Sequence, residues 1–260
     1  LRELRDGEDC FIDELWQPAA GRGIPLLAAQ FPRTYLDPNR HAGDIDLVAS
    51  DDGINIAGGN DASGMGRGVG PGGRMRPGQD AVTYTGNQYL TINGGTIVVE
   101  AAGDGLDVNG AVKMTGGLVV VNGPIENMNS ALDYDAGFTI SGGFLIAAGS
   151  AGMAQAPDAS SSQYSIQITY PSPLQAGAAV HIESSDGDEV VTFAPLKIYQ
   201  SIVFSSPELA EGVTYDLYYE GSAAGEEQGG LYLDGTYTPG ESIATFTISD
   251  TVTRIGNSYR

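Results

Sequence analysis

The chain has 260 residues and a formal net charge of −21, from 33 acidic against 12 basic side chains. A surface that negative repels phosphate backbones, which excludes a nucleic-acid partner, and it attracts divalent cations. Glycine, at 38 residues, keeps no every-third-residue rule, so collagen is excluded, and one cysteine excludes an intramolecular disulfide framework or a cysteine-based zinc site. The hydrophobic share of 41% is near the globular norm, and the length suits one large β domain or two smaller ones.

Residues 1–40 stand apart. They hold five of the ten arginines, Trp16 and Cys10 but only three glycines, whereas residues 41–260 hold 35 glycines and 7 basic against 26 acidic groups. A composition break this sharp predicts a boundary near His41. No apolar run approaches the ~20 residues of a membrane span, so none is expected, and no signal peptide is visible.

From Asp44 short β-branched runs alternate with glycine pairs. Leu90–Val99, Val112–Val121 and Phe138–Ala147 each read as strand, glycine corner, strand, around Gly94-Gly95, Gly116-Gly117 and Gly142-Gly143. A second motif runs in step: Asp52-Gly53-Ile54-Asn55, Asp104-Gly105-Leu106-Asp107 and Ser130-Ala131-Leu132-Asp133. Its members lie 52 and then 26 residues apart, which reads as two coils and one coil. Very short strands at this period, with no helical pattern between them, predict an all-β fold with a parallel β-helix over residues 41–163. One coil cannot bury its inward Ile, Leu and Val alone; stacking at about 4.8 Å pairs each strand with its equivalents. A β-sandwich of hairpins is the competing reading, but hairpins do not require the same motif at the same phase.

In that register Asp52, Asp104 and Ser130 form one column and Asn55, Asp107 and Asp133 another, with Asp51, Asn109 and Asp135 beside them. Like charges stacked in a sheet repel. A hard cation with six to eight oxygen ligands would remove the repulsion, so Asp51, Asp52, Asn55, Asp104, Asp107, Asn109, Asp133 and Asp135 are candidate Ca²⁺ ligands. The plainer alternative is that Asp and Asn accept local backbone hydrogen bonds in turns.

Residues 59–80 interrupt the pattern as a glycine-rich loop. Its Arg67, Arg74 and Arg76 are candidate substrate-binding residues, because guanidinium groups pair with the carboxylates of a sugar-acid polymer; a solvated insertion is the alternative. From Tyr164 to residue 250 the strands alternate as in antiparallel sheets, over Ser165–Tyr170, Ala179–Glu183, Val190–Phe193, Ser201–Phe204, Tyr215–Tyr219 and Thr245–Ile248, with turns at Asp186-Gly187 and Gly235. This region is the candidate cap over the last coil. Tyr218, Tyr219, Tyr232 and Tyr237 offer a sugar-stacking platform or simple edge packing. Residues 251–260 read as a tail.

Residues 44–249 resemble a bacterial family of calcium-binding β-helix proteins that bind carbohydrate of the pectin and cellulose type. The matching blocks are Ser50–Asn55, Gly103–Asp107, Asn129–Asp135, Ala148–Gln155 and the stretch from His181 to Leu209. That family's helix is similar to that of calcium-dependent pectate lyases, which implies that the Asp and Asn residues above hold calcium. It also implies that acidic polysaccharide docks alongside, with Asn129 and Tyr134 as further candidate contacts. The chain departs from the family in lacking the coils that usually precede Asp51-Asp52. Residues 1–40 resemble a fragment of the N-formylglutamate amidohydrolases, through Glu3–Trp16 and Pro25–Arg40. The His-Ser-Gly-type motif and later histidines of that family are absent, so no amidohydrolase activity is carried over, and the junction reads as a fusion, a mis-joined gene or a chimera.

Calcium-dependent, non-catalytic binding of cell-wall polysaccharide is therefore the expected function, at an extracellular or cell-surface location, with the oligomeric state open. A pectate-type lyase is the alternative; its base would be Lys113, because such a base is usually Lys or Arg and Lys113 is the lysine within the coils. His41 and His181 are the only histidines, and no Ser-His-Asp or paired-Glu spacing supports hydrolase chemistry. A surface solenoid that uses calcium only for folding is the third reading.

Overall fold

The computed structural model of the chain describes residues 44–56 and 88–256, and these are all-β, with no helix among them. The expected loop 59–80 and the amidohydrolase-like residues 1–40 lie outside the described residues. Strands run in chain order as β1 (Asp44–Ala49), β2 (Ile54–Ile56), β3 (Tyr89–Ala101), β4 (Leu106–Val108), β5 (Ala111–Asn122), β6 (Leu132–Tyr134), β7 (Gly137–Ile140) and β8 (Phe144–Gly149). They continue as β9 (Ser165–Leu174), β10 (Val180–Ser184), β11 (Glu189–Phe193), β12 (Tyr199–Ser205) and β13 (Thr214–Tyr219). The last are β14 (Ser222–Gln228), β15 (Leu231–Thr238), β16 (Glu241–Thr247) and β17 (Val252–Gly256).

Two parallel ladders hold the first half. In one, β1 pairs β3 and β3 pairs β5, and β5 pairs β7 with its first half and β8 with its second. In the other, β2 pairs β4 and β4 pairs β6. Apolar side chains from both ladders meet between them: Leu47, Val99, Val121 and Leu145 from the first, Ile54, Leu106 and Leu132 from the second. The glycine pairs also stack. Gly95, Gly117 and Gly143 have φ of 79°, 95° and 93°, a left-handed corner that side chains resist.

One spacing differs from expectation. Ile54 pairs directly with Leu106, and Asp44 with Thr96, so the 52-residue interval spans one step of the ladder and not two. The extra length is residues 57–87, outside the described residues, inserted between β2 and β3; a period count treats such an insertion as another coil.

The second half is antiparallel. β12 lies along the open edge of β8, β9 along β12, and β17 runs parallel to β9, extending the first ladder into an eight-stranded sheet. Part of the expected tail, Val252–Gly256, is thus the outermost strand. A six-stranded sheet, ordered β14-β15-β11-β10-β13-β16, packs against the outer face of the eight-stranded one. Asp186-Gly187 turns between β10 and β11 as expected, with Gly187 at φ 87°. Gly235 does not turn: it sits inside β15 opposite Gly225, and the reversal falls at Gly229-Gly230.

The eight-stranded sheet therefore divides two cores. Val99, Val121, Leu145 and Ala147 face the first; their neighbours Val98, Val120, Ile146 and Ala148 face the second, against Ile182, Val191, Phe193 and Leu217. Burial on both faces explains why these strands read as unbroken apolar runs.

Among the described residues no strand past β8 lies on β6 and β7; side chains take its place. Gln155 Oε1 accepts the Tyr134 N–H at 3.0 Å, Asp158 Oδ2 the Phe138 N–H at 2.9 Å and Ser161 Oγ the Ile140 N–H at 3.0 Å. The backbone donors of the last step are satisfied without a further coil.

Candidate functional site

The short ladder brings the expected acidic residues together. Asn55, Asp107 and Asp133 are in direct register across β2, β4 and β6. Just before them, Asp52 Oδ1 accepts the backbone N–H of Asp104 at 2.8 Å, and Asp104 Oδ1 accepts that of Ser130. Asn55 Nδ2 ties the columns, donating to Asp52 Oδ2 at 3.2 Å and Asp107 Oδ2 at 2.8 Å. Each Asp thus fastens its step to the backbone of the next. The intervening column runs Gly53, Gly105, Ala131: a Cβ on Gly53 would strike the Gly105 carbonyl, and one on Gly105 the Ala131 carbonyl. Only the last member carries a methyl group.

Asp104 is the electrostatic centre. Its carboxyl is pushed up to about 7, first by burial and then by Asp133, Asp52 and Asp51, against the lowering effect of the Ser130 N–H. The carboxylates of Asp133, Asp52 and Asp51 add to the burial that opposes ionisation of Asp104. No three Asp, Glu, His or Cys side chains among the described residues form a ready metal-holding group, so the patch is a concentration of charge and not a preformed cage.

The remaining expected residues separate. Asp51 and Asp135 are exposed. Asn109 is buried at 6% exposure with its Nδ2 unpartnered. The Asn129 carbonyl accepts the Ser150 hydroxyl at 2.6 Å. Tyr134 donates to the Ala156 carbonyl at 2.6 Å and sets its ring edge-on to Phe138, clamping the segment after β8. Lys113 faces outward on β5, in register with Thr91 and Thr139. Arg67, Arg74 and Arg76 lie outside the described residues, among which only Lys113, Lys197 and Arg254 are cationic. Lys197 Nζ donates to the Ala101 carbonyl and Arg254 Nε to Gln167 Oε1 at 3.2 Å.

Of the four tyrosines, three are committed to packing. Tyr237 stacks on His181 with centroids 4.0 Å apart and rings 12° from parallel, and Tyr218 lies 5.9 Å away on the other strand. Tyr219 tilts against the buried Tyr170. Tyr232, in register with Thr192, is the one that lines an open cleft. Sequence patterning singles out neither His181 as a buried hub nor Glu189 beside it. Thr192 Oγ1 donates to Glu189 Oε1 at 2.7 Å, which uses its one proton, so the His181 Nδ1 at 2.7 Å from that oxygen is the donor. The pairing of His181 with Thr192 across β10 and β11 is a cross-strand fact that spacing in one strand does not carry.

Comparison with known proteins divides the chain similarly. A family model described as N-formylglutamate amidohydrolase matches residues 1–71, and one described as carbohydrate-binding domain-containing protein matches residues 77–198. These are the two families that the sequence resembles, in the expected order. The first match runs past β1 and β2, although both strands pair in register with β3 and β4 of the second. No curated protein and no solved structure matches the chain. No helix among the described residues is long and apolar enough to cross a membrane.

Proposed function

We propose that this chain is a non-catalytic polysaccharide-binding protein built on a short parallel β-helix and stabilised by calcium at its acidic columns. The observation that carries the reading is the overlap of the carbohydrate-binding match, residues 77–198, with the parallel ladders and the acidic columns they align. The β-helix rests on paired ladders enclosing one core, with steps of 22 and 26 residues around stacked glycine corners. Calcium is supported by Asp104: burial, then the charges of Asp133, Asp52 and Asp51, resist its ionisation, and a divalent ion beside them would offset the charge repulsion. A cell-wall polysaccharide as partner puts the protein at the cell surface or outside it. Lys113, the base a lyase reading would need, stands in register with Thr91 and Thr139.

A glycan array probed with the full chain, once with calcium and once with chelator, tests the function. Binding to plant-type polysaccharide without release of unsaturated or reducing products supports it; no binding in either condition overturns it. The calcium part is read separately, from thermal melting. A rise of several degrees with calcium, reversed by chelator, is expected, and an unchanged melting temperature removes calcium from the account.

A further inference from the structure

Where the two sheets of the second core diverge they leave an open cleft of about 470 Å³, within the roughly 300–1,000 Å³ usual for small-ligand sites. Leu118 and Phe144 form one wall. They are in register on β5 and β8, immediately after the Gly117 and Gly143 corners, and both are half-buried. The opposite wall is Tyr232 and Leu233 of β15, with Leu233 45% exposed. Two carboxylates complete the lining, Glu189 at the start of β11 and Glu208 on the turn after β12. Glu189 is not free to wander, because the Thr192 hydroxyl, held in turn by His181, fixes its Oε1. Among the described residues, no lysine, arginine or histidine lines the cleft.

We propose that this cleft is the glycan-binding site and that it takes neutral sugar residues in preference to uronates; the proposal rests on the polysaccharide-binding reading above. Apolar and aromatic walls suit the C–H faces of pyranose rings, and the fixed Glu189 carboxylate and the exposed Glu208 carboxylate can accept from sugar hydroxyls in charge-assisted hydrogen bonds. A uronate offers carboxylates to a cleft whose described lining already holds two and no cation to pair them, so like charges oppose its entry. The aromatic ring, the fixed Glu189 acceptor and a described lining without cations together select the neutral chain.

The test is calorimetric titration of the full chain, and of its Tyr232→Ala and Glu208→Gln variants, with a neutral cello-oligosaccharide and with oligogalacturonate. Each is titrated in calcium and in chelator, with melting temperatures as the fold control. Tyr232 is only half-buried and Glu208 is exposed, so both variants should melt as the parent does. The parent should bind the neutral sugar more tightly, and each variant should lose about tenfold in affinity, the scale of one lost ring contact or charged hydrogen bond. Parent-like affinity in both variants overturns the cleft while leaving polysaccharide binding in place. Tighter binding of oligogalacturonate, with or without calcium, overturns the preference for neutral sugar. If the parent binds no glycan, the underlying reading falls with it.

Discussion

Asp104 shows how one side chain can serve the fold and strain it at once. Its Oδ1 fastens the Ser130 backbone, yet burial and three neighbouring carboxylates raise its proton affinity to about 7. A carboxyl that titrates higher in the folded chain than in the unfolded one binds more protons when folded. Stability is then fully supported below about pH 4 and declines as pH rises through about 7, by at most about 4 kcal/mol. Asp104→Asn keeps an oxygen for the Ser130 N–H but removes the charge. Urea melts in chelator should show the parent weakening between pH 4 and 7 and the variant nearly flat; parallel profiles would refute this electrostatic account. Residue-level spacing made the column legible, since Asp104 and Ser130 sit at the same phase 26 residues apart. What spacing could not supply was the use of each carboxylate, which depends on which backbone N–H the next step presents.

At the scale of elements, the two-faced sheet was half legible. Leu90–Val99 and Val112–Val121 were legible as strands, but Val98 and Val120 are apolar as well as their inward neighbours Val99 and Val121, and a one-sided coil gives no reason for that. An unbroken apolar run is the mark of a strand covered twice, and the cover came from β10, β11 and β13, far along the chain. β14 was illegible for the opposite reason: Ser222–Gln228 has no apolar alternation, and it is held by backbone pairing to β15. The closing of the last step by side chains is also an element-scale device. Asp158 accepts the Phe138 N–H while its own N–H returns to the Phe138 carbonyl at 2.7 Å, as a strand would. Asp158→Ala should strip one acceptor from a backbone donor and cost about 1–3 kcal/mol in denaturant unfolding, the penalty of an unsatisfied group. Unchanged stability would mean that another oxygen serves Phe138 equally well.

Over the whole molecule, a negative charge spread through three sheets meets, among the described residues, a lining with no cation in the cleft between two of them. Composition gave the negative charge at the outset, and with it the expectation of divalent ions and not nucleic acid as partners. It could not locate the cleft, because Leu118, Phe144, Glu189, Glu208 and Tyr232 belong to five separate stretches joined only by the packing of one sheet on another. The arginines expected to grip an acidic polymer lie outside the described residues; within them Lys197 donates to the Ala101 carbonyl and Arg254 to Gln167, and the exposed Lys113 on β5 is not part of the cleft lining. The whole-molecule balance therefore favours a partner that brings hydroxyl groups and not further carboxylates. Retention of the full chain on immobilised neutral cell-wall polysaccharide, measured at rising ionic strength, tests that claim most directly. Binding through ring faces and hydroxyl hydrogen bonds should persist from low to high salt with the polymer left uncut; loss of retention by moderate salt, or cleavage of the polymer, would contradict it.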